Sequence, residues 1–230
     1  APGWGAGRLD ELRGLLGVPA LPCTSAYQTP PQTATGDESR FVLPANVRSR
    51  HIFVVASPRA PVNDSLVEAA LLVSALRRSS VERITCVLPY FAYGRQSYKT
   101  ASRVPVSAAD VALALEEMGT DALITVDLHR GQTAGFFSPR CSVDNLTCIP
   151  VGARYFWRAL ARHQRRVVVV SPHASGVGFA KEFLHALLGL AHEEAPGGGG
   201  SATAAAAPRD VTPTLAVLVH RPGARKRELE

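Results

Sequence analysis

Polar and basic side chains follow four short apolar segments of the sequence, and their types suit the binding of phosphate groups. The four stretches read PYFAYGRQ, DLHRGQ, SPHASG and VHRPGARKR. They supply Arg95, Gln96, Lys99, Arg103 and His129, and a basic cluster at 221–227. Cations and amide donors that converge on one crevice are what a polyphosphate ligand requires. Each stretch alone is more typical of an ordinary turn, because proline or glycine occurs in all four.

Two interpretations of His129 stay open at the level of the residues. A single histidine after an apolar run is most often a hydrogen-bonded structural residue. Asp127 precedes it by two positions, so that both would share one face of a strand and the pair could contribute to a metal's coordination shells. No histidine has zinc-like spacing with cysteines, and the sequence lacks the GxxxxGK[ST] loop of Walker-type phosphate sites.

The elements that must position these residues alternate between strand and helix patterns. Short apolar runs rich in β-branched residues predict strands buried on both faces at 51–57, 83–90, 122–129, 166–173 and 214–221. Helical patterns lie between them. One begins at Ser65, with Glu68 at capping-box spacing, and a second begins at Ser107. This alternation predicts an α/β fold with a parallel sheet, in which ligands bind beyond the carboxyl ends of the strands.

Composition and charge restrict the class of protein. The chain has 230 residues, 46% of them hydrophobic, with 25 Lys+Arg against 19 Asp+Glu and a net charge of +6. It predicts a globular protein of one or two domains. No apolar run of about 18 residues and no signal pattern occur, so we expect a soluble cytoplasmic protein without a membrane partner. The basic residues lack interleaved aromatic residues, which argues against a nucleic-acid partner.

The cysteines indicate a reducing compartment. None of Cys23, Cys86, Cys141 and Cys148 belongs to a CxxC pair, and Cys86 and Cys148 stand in apolar or strand-like surroundings. We therefore predict reduced, packed thiols.

Two long stretches of the chain resemble one enzyme family. They are SPRAPVNDSLVEAALLVSALRRSSVERITCVLPYFAYGRQ and SRVPVSAADVALALEEMGTDALITVDLHRGQTAGFF, with SVDNL downstream. In combination they resemble ribose-phosphate pyrophosphokinase, also called phosphoribosyl pyrophosphate synthetase. The resemblance runs from about residue 40 to residue 155 and resumes at VVVVSPHASG. It implies a phosphoribosyltransferase-like domain at 1–148 and the first part of a second one at 149–230, where the Gly/Ala-rich stretch at about 193–210 predicts a flexible insertion.

The activity that the resemblance implies is transfer of the pyrophosphoryl group of ATP to the 1-hydroxyl of ribose 5-phosphate. The products are phosphoribosyl pyrophosphate, used in nucleotide biosynthesis, and AMP. Magnesium is the implied cofactor. The implied partners are other copies or paralogues of the synthetase, in assemblies from dimers to hexamers.

The resemblance also implies roles for individual residues. Catalytic roles fall on His129 and Arg221, and magnesium binding on His129 and His173. ATP binding falls on Arg95, Gln96, Glu38 and Lys99. A regulatory phosphate site is implied at Ser102, Arg103, Gln132 and Asn145.

Departures from the family pattern keep a second function class open. His173 stands where the family has a magnesium-linked aspartate, Ala34 stands where an aromatic residue packs on adenine, and 220–222 lack the expected catalytic lysine. The chain also ends at Glu230, before the glycine- and aspartate-rich segment that holds ribose 5-phosphate in the family. We therefore expect a fragment or a divergent copy that makes no product by itself. The alternative to an active synthetase is a non-catalytic, synthetase-associated regulatory subunit.

Overall fold

Strands and helices alternate along the part of the chain that the structure describes. This computed structural model describes residues 41, 43, 45–58, 60–161, 167–193 and 214–217. The chain divides into two compact units, 1–146 and 147–230.

A parallel four-stranded sheet organises the first unit. Its strands are β1 (His51–Val55), β2 (Arg83–Leu88), β3 (Ala122–Val126) and β4 (Ser142–Leu146), in the spatial order β1-β2-β3-β4. Helix α1 (Val62–Arg78) connects β1 to β2, and α2 (Ser107–Glu117) connects β2 to β3. A 3-10 helix, Gly131–Phe136, connects β3 to β4. Parallel neighbouring strands require such crossover connections. The predicted α/β class with parallel sheets is therefore confirmed.

The core of the first unit lies between the two α-helices and one face of the sheet. Val73 and Leu115 from the helices are almost fully buried, as are Ile84 and Leu123 from the central strands. On β1 the side chains alternate, so that Val54 is buried whereas Phe53 is 54% exposed. Alternation of this kind is the period of two that a strand with one covered face requires.

The predicted start of the first helix is wrong. Helix α1 begins at Val62 after Pro61, which has an extended conformation and makes no side-chain cap. The Ser65 hydroxyl donates to the carbonyl oxygen of Val62 at 3.0 Å, so it bonds back to the preceding turn and does not cap the helix. The second helix does begin at Ser107, as predicted.

A polar junction joins α1 to the turn before β3. Gly119 has a φ of +114°, and its carbonyl oxygen accepts a hydrogen bond from the Arg77 guanidinium. The same guanidinium pairs with the Asp121 carboxylate at 2.5 Å. That carboxylate also accepts the backbone N–H of Ile84 at 2.7 Å. The junction therefore ties α1, β2 and the start of β3 together.

The second unit contains two parallel strands, two α-helices and a short 3-10 helix, Ala174–Gly176, among its described residues. The elements are α3 (Ile149–Ala161), β5 (Val168–Ser171), α4 (Val177–Glu193) and β6 (Thr214–Val217). Ala153, Trp157 and Leu187 are buried, and Phe183 packs against them. The Gly/Ala-rich stretch after Glu193 lies outside the described residues. No helix among the described residues is both long enough and apolar enough to cross a bilayer.

The cysteines only partly fit the prediction of packed thiols. Cys86 and Cys141 are buried reduced thiols, whereas Cys148 is exposed. The prediction for Cys148 is wrong because this residue lies in the short connection between β4 and α3 and not within a strand. Cys23 lies outside the described residues.

Candidate functional site

Two basic loops follow the neighbouring strands β2 and β3. The two strands pair in register, with Leu88 opposite Thr125, so their carboxyl ends lie side by side. The loop after β2, residues 89–106, carries the exposed side chains of Arg95, Gln96, Lys99, Ser102 and Arg103. The segment after β3 carries the exposed side chains of His129 and Arg130. This edge of the sheet is the place where ligands bind in open parallel α/β folds.

The base of the loop after β2 is buried and well anchored. Phe91 is 5% exposed and packs edge-on against Phe137, with 6.1 Å between ring centroids. Tyr93 has a φ of 59°, and its hydroxyl donates to the Asn63 side chain. Arg103, near the other end of the loop, has a φ of 63°. Left-handed backbone at two non-glycine residues is uncommon and concentrates at functional sites.

Gln96 joins this loop to the first turn of α2. Its side-chain oxygen accepts a hydrogen bond from the Ser107 hydroxyl at 2.8 Å, and its carbonyl oxygen accepts the N–H of Ala108 at 3.2 Å. The backbone N–H of Gln96 donates to the Tyr93 carbonyl oxygen at 2.8 Å, whereas the side-chain NH₂ group has no partner among the described residues. An exposed, oriented N–H donor beside Arg95 is suited to a phosphate or a purine ring.

The segment that carries His129 turns sharply away from β3. Asp127 has a φ of 48°, and its N–H donates to the Leu146 carbonyl oxygen at 2.8 Å. The next N–H, that of Leu128, donates to the side-chain oxygen of Asn145 at 3.0 Å. The prediction that Asp127 and His129 share one strand face is wrong, because β3 ends at Val126 and the left-handed turn follows it.

A cation–π contact joins the two loops. The Arg130 guanidinium lies 4.4 Å from the centroid of the Tyr98 ring. Tyr98 lies between Gln96 and Lys99 in the chain, and Arg130 follows His129. The contact therefore joins the loop that carries Arg95, Gln96 and Lys99 to the segment that carries His129.

The four residues predicted to hold a regulatory phosphate lie on three different elements. Ser102 and Arg103 belong to the loop after β2, Gln132 to the 3-10 helix and Asn145 to β4. All four side chains are exposed. The hydrogen bond that Asn145 makes is directed at the His129 segment.

The remaining predicted residues lie elsewhere. His173 follows β5 in the second unit, where its ring Nδ1 lies 2.8 Å from the Ser175 hydroxyl and its carbonyl oxygen accepts the Ser171 hydroxyl at 2.8 Å. PYFAYGRQ and DLHRGQ therefore follow strands of the four-stranded sheet, SPHASG follows a strand of the separate two-stranded sheet, and VHRPGARKR lies outside the described residues. Glu38 and Arg221 lie outside the described residues, as do Ala34 and 220–222.

The described residues of the first unit offer few ligands for a metal ion. Within the described ranges, no three His, Cys, Asp or Glu side chains are grouped so that they could hold a metal ion. Magnesium usually keeps its waters and is bound through one or two protein ligands together with substrate phosphates. The described residues of the loops after β2 and β3 therefore form no all-protein magnesium cage, and a magnesium ion there would need phosphate oxygens among its ligands.

Comparison with known proteins finds ribose-phosphate pyrophosphokinases that are similar to this chain. Residues 24–119 match the family model described as the N-terminal domain of ribose phosphate pyrophosphokinase. The chain is 44% identical over 142 residues to a ribose-phosphate pyrophosphokinase of Rhizobium meliloti. It is 42% identical over 154 residues to ribose-phosphate pyrophosphokinase 1 of Lactococcus lactis. The chain is a relative of the ribose-phosphate pyrophosphokinases.

The extent of these matches differs between sequence and structure. The aligned residues are 61% and 66% of this chain and 44% and 47% of the two pyrophosphokinases, so the chain spans about half the length of the curated relatives it matches. The crystal structure of phosphoribosylpyrophosphate synthetase from Mycobacterium smegmatis matches with a TM-score of 0.70 at 29% identity. This match covers 92% of the chain and 60% of the synthetase. The fold is therefore that of a phosphoribosylpyrophosphate synthetase, a phosphoribosyltransferase-like fold.

Two features of the site carried no recognisable signal in the sequence. The contact between Tyr98 and Arg130 joins two loops that are distant in the chain, and neither residue type predicts it. The acceptor role of Asn145 toward Leu128 depends on the pairing of β3 with β4. The polar composition of β4, whose sequence is SVDNL, conceals that it is a strand.

Proposed function

We propose that the protein is a ribose-phosphate pyrophosphokinase, which transfers the pyrophosphoryl group of ATP to the 1-hydroxyl of ribose 5-phosphate and releases AMP. The observation that carries the proposal is the contact between Arg130 and Tyr98, which holds the Arg95 loop and the His129 segment together at adjacent strand ends. The names of the relatives and the family match over 24–119 support the same activity.

The basic loop after β2 would bind the polyphosphate of ATP. Arg95 and Lys99 are exposed and lie on either side of Gln96 in the chain. The side-chain NH₂ group of Gln96 is available as a donor. Pyrophosphoryl transfer, like phosphoryl transfer, needs little covalent chemistry from the protein and depends on positioning and on neutralisation of charge. Guanidinium groups do both, because they donate two parallel hydrogen bonds to phosphate oxygens.

His129 would hold magnesium beside the nucleotide phosphates. The ion, when bound, neutralises charge that builds up on the transferring group. His129 would contribute an imidazole nitrogen, which is a weak ligand for so hard a cation, so the phosphate oxygens would supply the stronger bonds. Its contribution is therefore to orient the complex of magnesium and ATP relative to Arg95.

Further assignments follow from the resemblance to the ribose-phosphate pyrophosphokinases. We assign Glu38 to the nucleotide, Arg221 to catalysis and His173 to a second metal contact. Ser102, Arg103, Gln132 and Asn145 would form the regulatory phosphate site. The domain at 1–148 would be the N-terminal phosphoribosyltransferase-like domain, and 149–230 the first part of the second one. Other copies or paralogues would complete a cytoplasmic assembly of dimers to hexamers.

The test is release of AMP from ATP by the full-length protein, measured by chromatography with ribose 5-phosphate and magnesium present or omitted. We expect release only with all three components. Arg95→Ala should raise the KM for ATP roughly tenfold to hundredfold, since charge-assisted hydrogen bonds contribute about 1.5–3 kcal/mol. Arg83→Ala is the matched control, because Arg83 is exposed at the amino end of β2, at the opposite edge of the sheet.

Two other outcomes would contradict the proposal in different ways. Binding of ATP without any AMP release would favour the regulatory subunit over the enzyme. Absence of ATP binding in the wild-type protein would overturn the nucleotide site itself.

A further inference from the structure

The side chain of Asn145 lies against the backbone that leads into His129. Its oxygen accepts the N–H of Leu128 at 3.0 Å, one residue before His129. The preceding N–H, that of Asp127, donates to the Leu146 carbonyl oxygen at 2.8 Å. These two bonds extend the contact between β3 and β4 beyond the last paired residues, Val126 and Leu146.

The conformation at Asp127 explains why this segment needs such support. A φ of 48° at a residue other than glycine is unfavourable unless neighbouring structure holds it. The backbone of β4 still supplies an acceptor for the N–H of Asp127, which is the carbonyl oxygen of Leu146. The N–H of Leu128 lies beyond the last paired residues of β3 and β4. The side chain of Asn145 provides the acceptor that the backbone of β4 no longer offers.

We propose that Asn145 is a positioning residue, whose side-chain oxygen holds Leu128 and thereby sets where His129 stands at the strand edge. The inference rests on the proposed function, since it gives His129 a part in the use of magnesium and ATP. It concerns the oxygen of the carboxamide, whereas a phosphate ligand would engage the NH₂ group of the same side chain. The two roles therefore belong to different atoms and can be separated.

Two substitutions separate them. Asn145→Asp keeps an oxygen acceptor for Leu128 but removes the NH₂ donor and adds a negative charge, which repels phosphate. Asn145→Leu keeps the size of the side chain and removes the acceptor. Asn145 is exposed on β4, so neither change disturbs the buried core of the first unit.

The first measurement is hydrogen exchange at the Leu128 amide, followed by NMR in the whole protein. We expect slow exchange in the wild type and in Asn145→Asp. Exchange should be about fivefold faster in Asn145→Leu, the scale expected for the loss of one hydrogen bond. The amides of β3 serve as the control and should exchange at the same rate in all three proteins. Unchanged exchange of Leu128 in Asn145→Leu would overturn the proposal.

The second measurement is the dependence of AMP release on magnesium and ATP. Asn145→Leu should raise the KM for magnesium-ATP by a factor similar to the change in exchange. A KM equal to that of the wild type in Asn145→Leu would contradict the positioning role. Hydrogen exchange at Leu128 is measured without turnover. A wild-type protein that releases no AMP would overturn the proposed function. The exchange result would still decide whether Asn145 holds Leu128.

Discussion

The guanidinium of Arg130 lies over the Tyr98 ring, 4.4 Å from its centroid. Tyr98 belongs to the loop that carries Arg95 and Gln96, and Arg130 directly follows His129. The contact is therefore a link between the two loops that the proposed reaction must hold together. Both side chains are exposed, which places the interaction at the weaker end of cation–π contacts, about 0.5–1 kcal/mol.

Removal of the Tyr98 ring should loosen this link. We expect Tyr98→Leu to raise the KM for magnesium-ATP by about two- to fivefold, the factor that corresponds to the free energy of an exposed cation–π contact. Tyr98→Phe keeps an aromatic face and should stay close to the wild type. The KM is obtained from AMP release at graded ATP concentrations. Equal KM values for Tyr98→Leu and the wild type would show that the contact does not couple the loops.

Replacement of His129 should weaken the use of magnesium. We expect His129→Ala to raise the magnesium concentration for half-maximal AMP release by about tenfold or more, the scale of metal-site substitutions. His185→Ala is the control, since His185 is an exposed histidine of α4 in the other unit. A defect that excess magnesium leaves unchanged, with normal metal affinity, would rule out the metal role.

A side chain at position 119 should destabilise the first unit. Gly119 has a φ of +114°, and a Cβ atom there would lie 2.8 Å from the Arg77 Nε. We expect Gly119→Ala to lower the free energy of unfolding by about 1–3 kcal/mol, measured by urea denaturation. Gly135→Ala is the matched control, because no atom lies within 4 Å of its added Cβ. Similar losses in both variants would show that the clash at Arg77 is not the cause.

The contact between Glu116 and Ser138 should make stability depend on pH in the acid range. Hydrogen bonds from the Ser138 hydroxyl and backbone N–H, the latter at 2.9 Å, lower the pKa of the Glu116 carboxyl. A carboxyl with a lowered pKa stabilises the fold above its unfolded pKa of about 4.3, and this contribution is lost as the pH falls through the folded value.

Ser138→Ala tests this pH dependence. We expect the pKa of Glu116 to rise toward its ordinary value, as followed by the ¹³C shift of its carboxyl group. The loss of stability between about pH 5 and pH 3 should become smaller in the same variant. Ser142→Ala changes an exposed serine on β4 and should leave both quantities unchanged. A pKa of Glu116 that does not move in Ser138→Ala would refute the assignment.

The described cysteines should differ in reactivity toward alkylating reagents. Burial raises the pKa of Cys86, and it raises that of Cys141 to about 11, so neither forms much thiolate near neutral pH. Cys148 is exposed. We expect iodoacetamide at pH 8 to label Cys148 in the native protein and to label the two buried thiols only after unfolding. Peptide mass spectrometry assigns each site, and native labelling of Cys141 at the rate of Cys148 would contradict the prediction.

Much of the fold followed from the sequence because buried parallel strands have a local signature. The segment that forms β2 reads RITCVL, and five of its six residues are apolar or β-branched and at least partly buried, so the pattern indicates a strand without knowledge of its neighbours. The start of α2 at Ser107 was also predicted correctly. The resemblance to ribose-phosphate pyrophosphokinases rested on loop residues such as Arg95 and Gln96, whose types can be recognised wherever the loop lies.

Tertiary structure decided the features that depend on neighbours in space. Strand β4 is polar and mostly exposed, so it becomes a strand only through pairing with β3. The same pairing fixes the left-handed turn at Asp127 and the bond from Leu128 to Asn145. The contact between Tyr98 and Arg130 exists because β2 and β3 are adjacent in the sheet. Local sequence patterns indicate which residues are buried, whereas the position of His129 depends on which strands lie side by side.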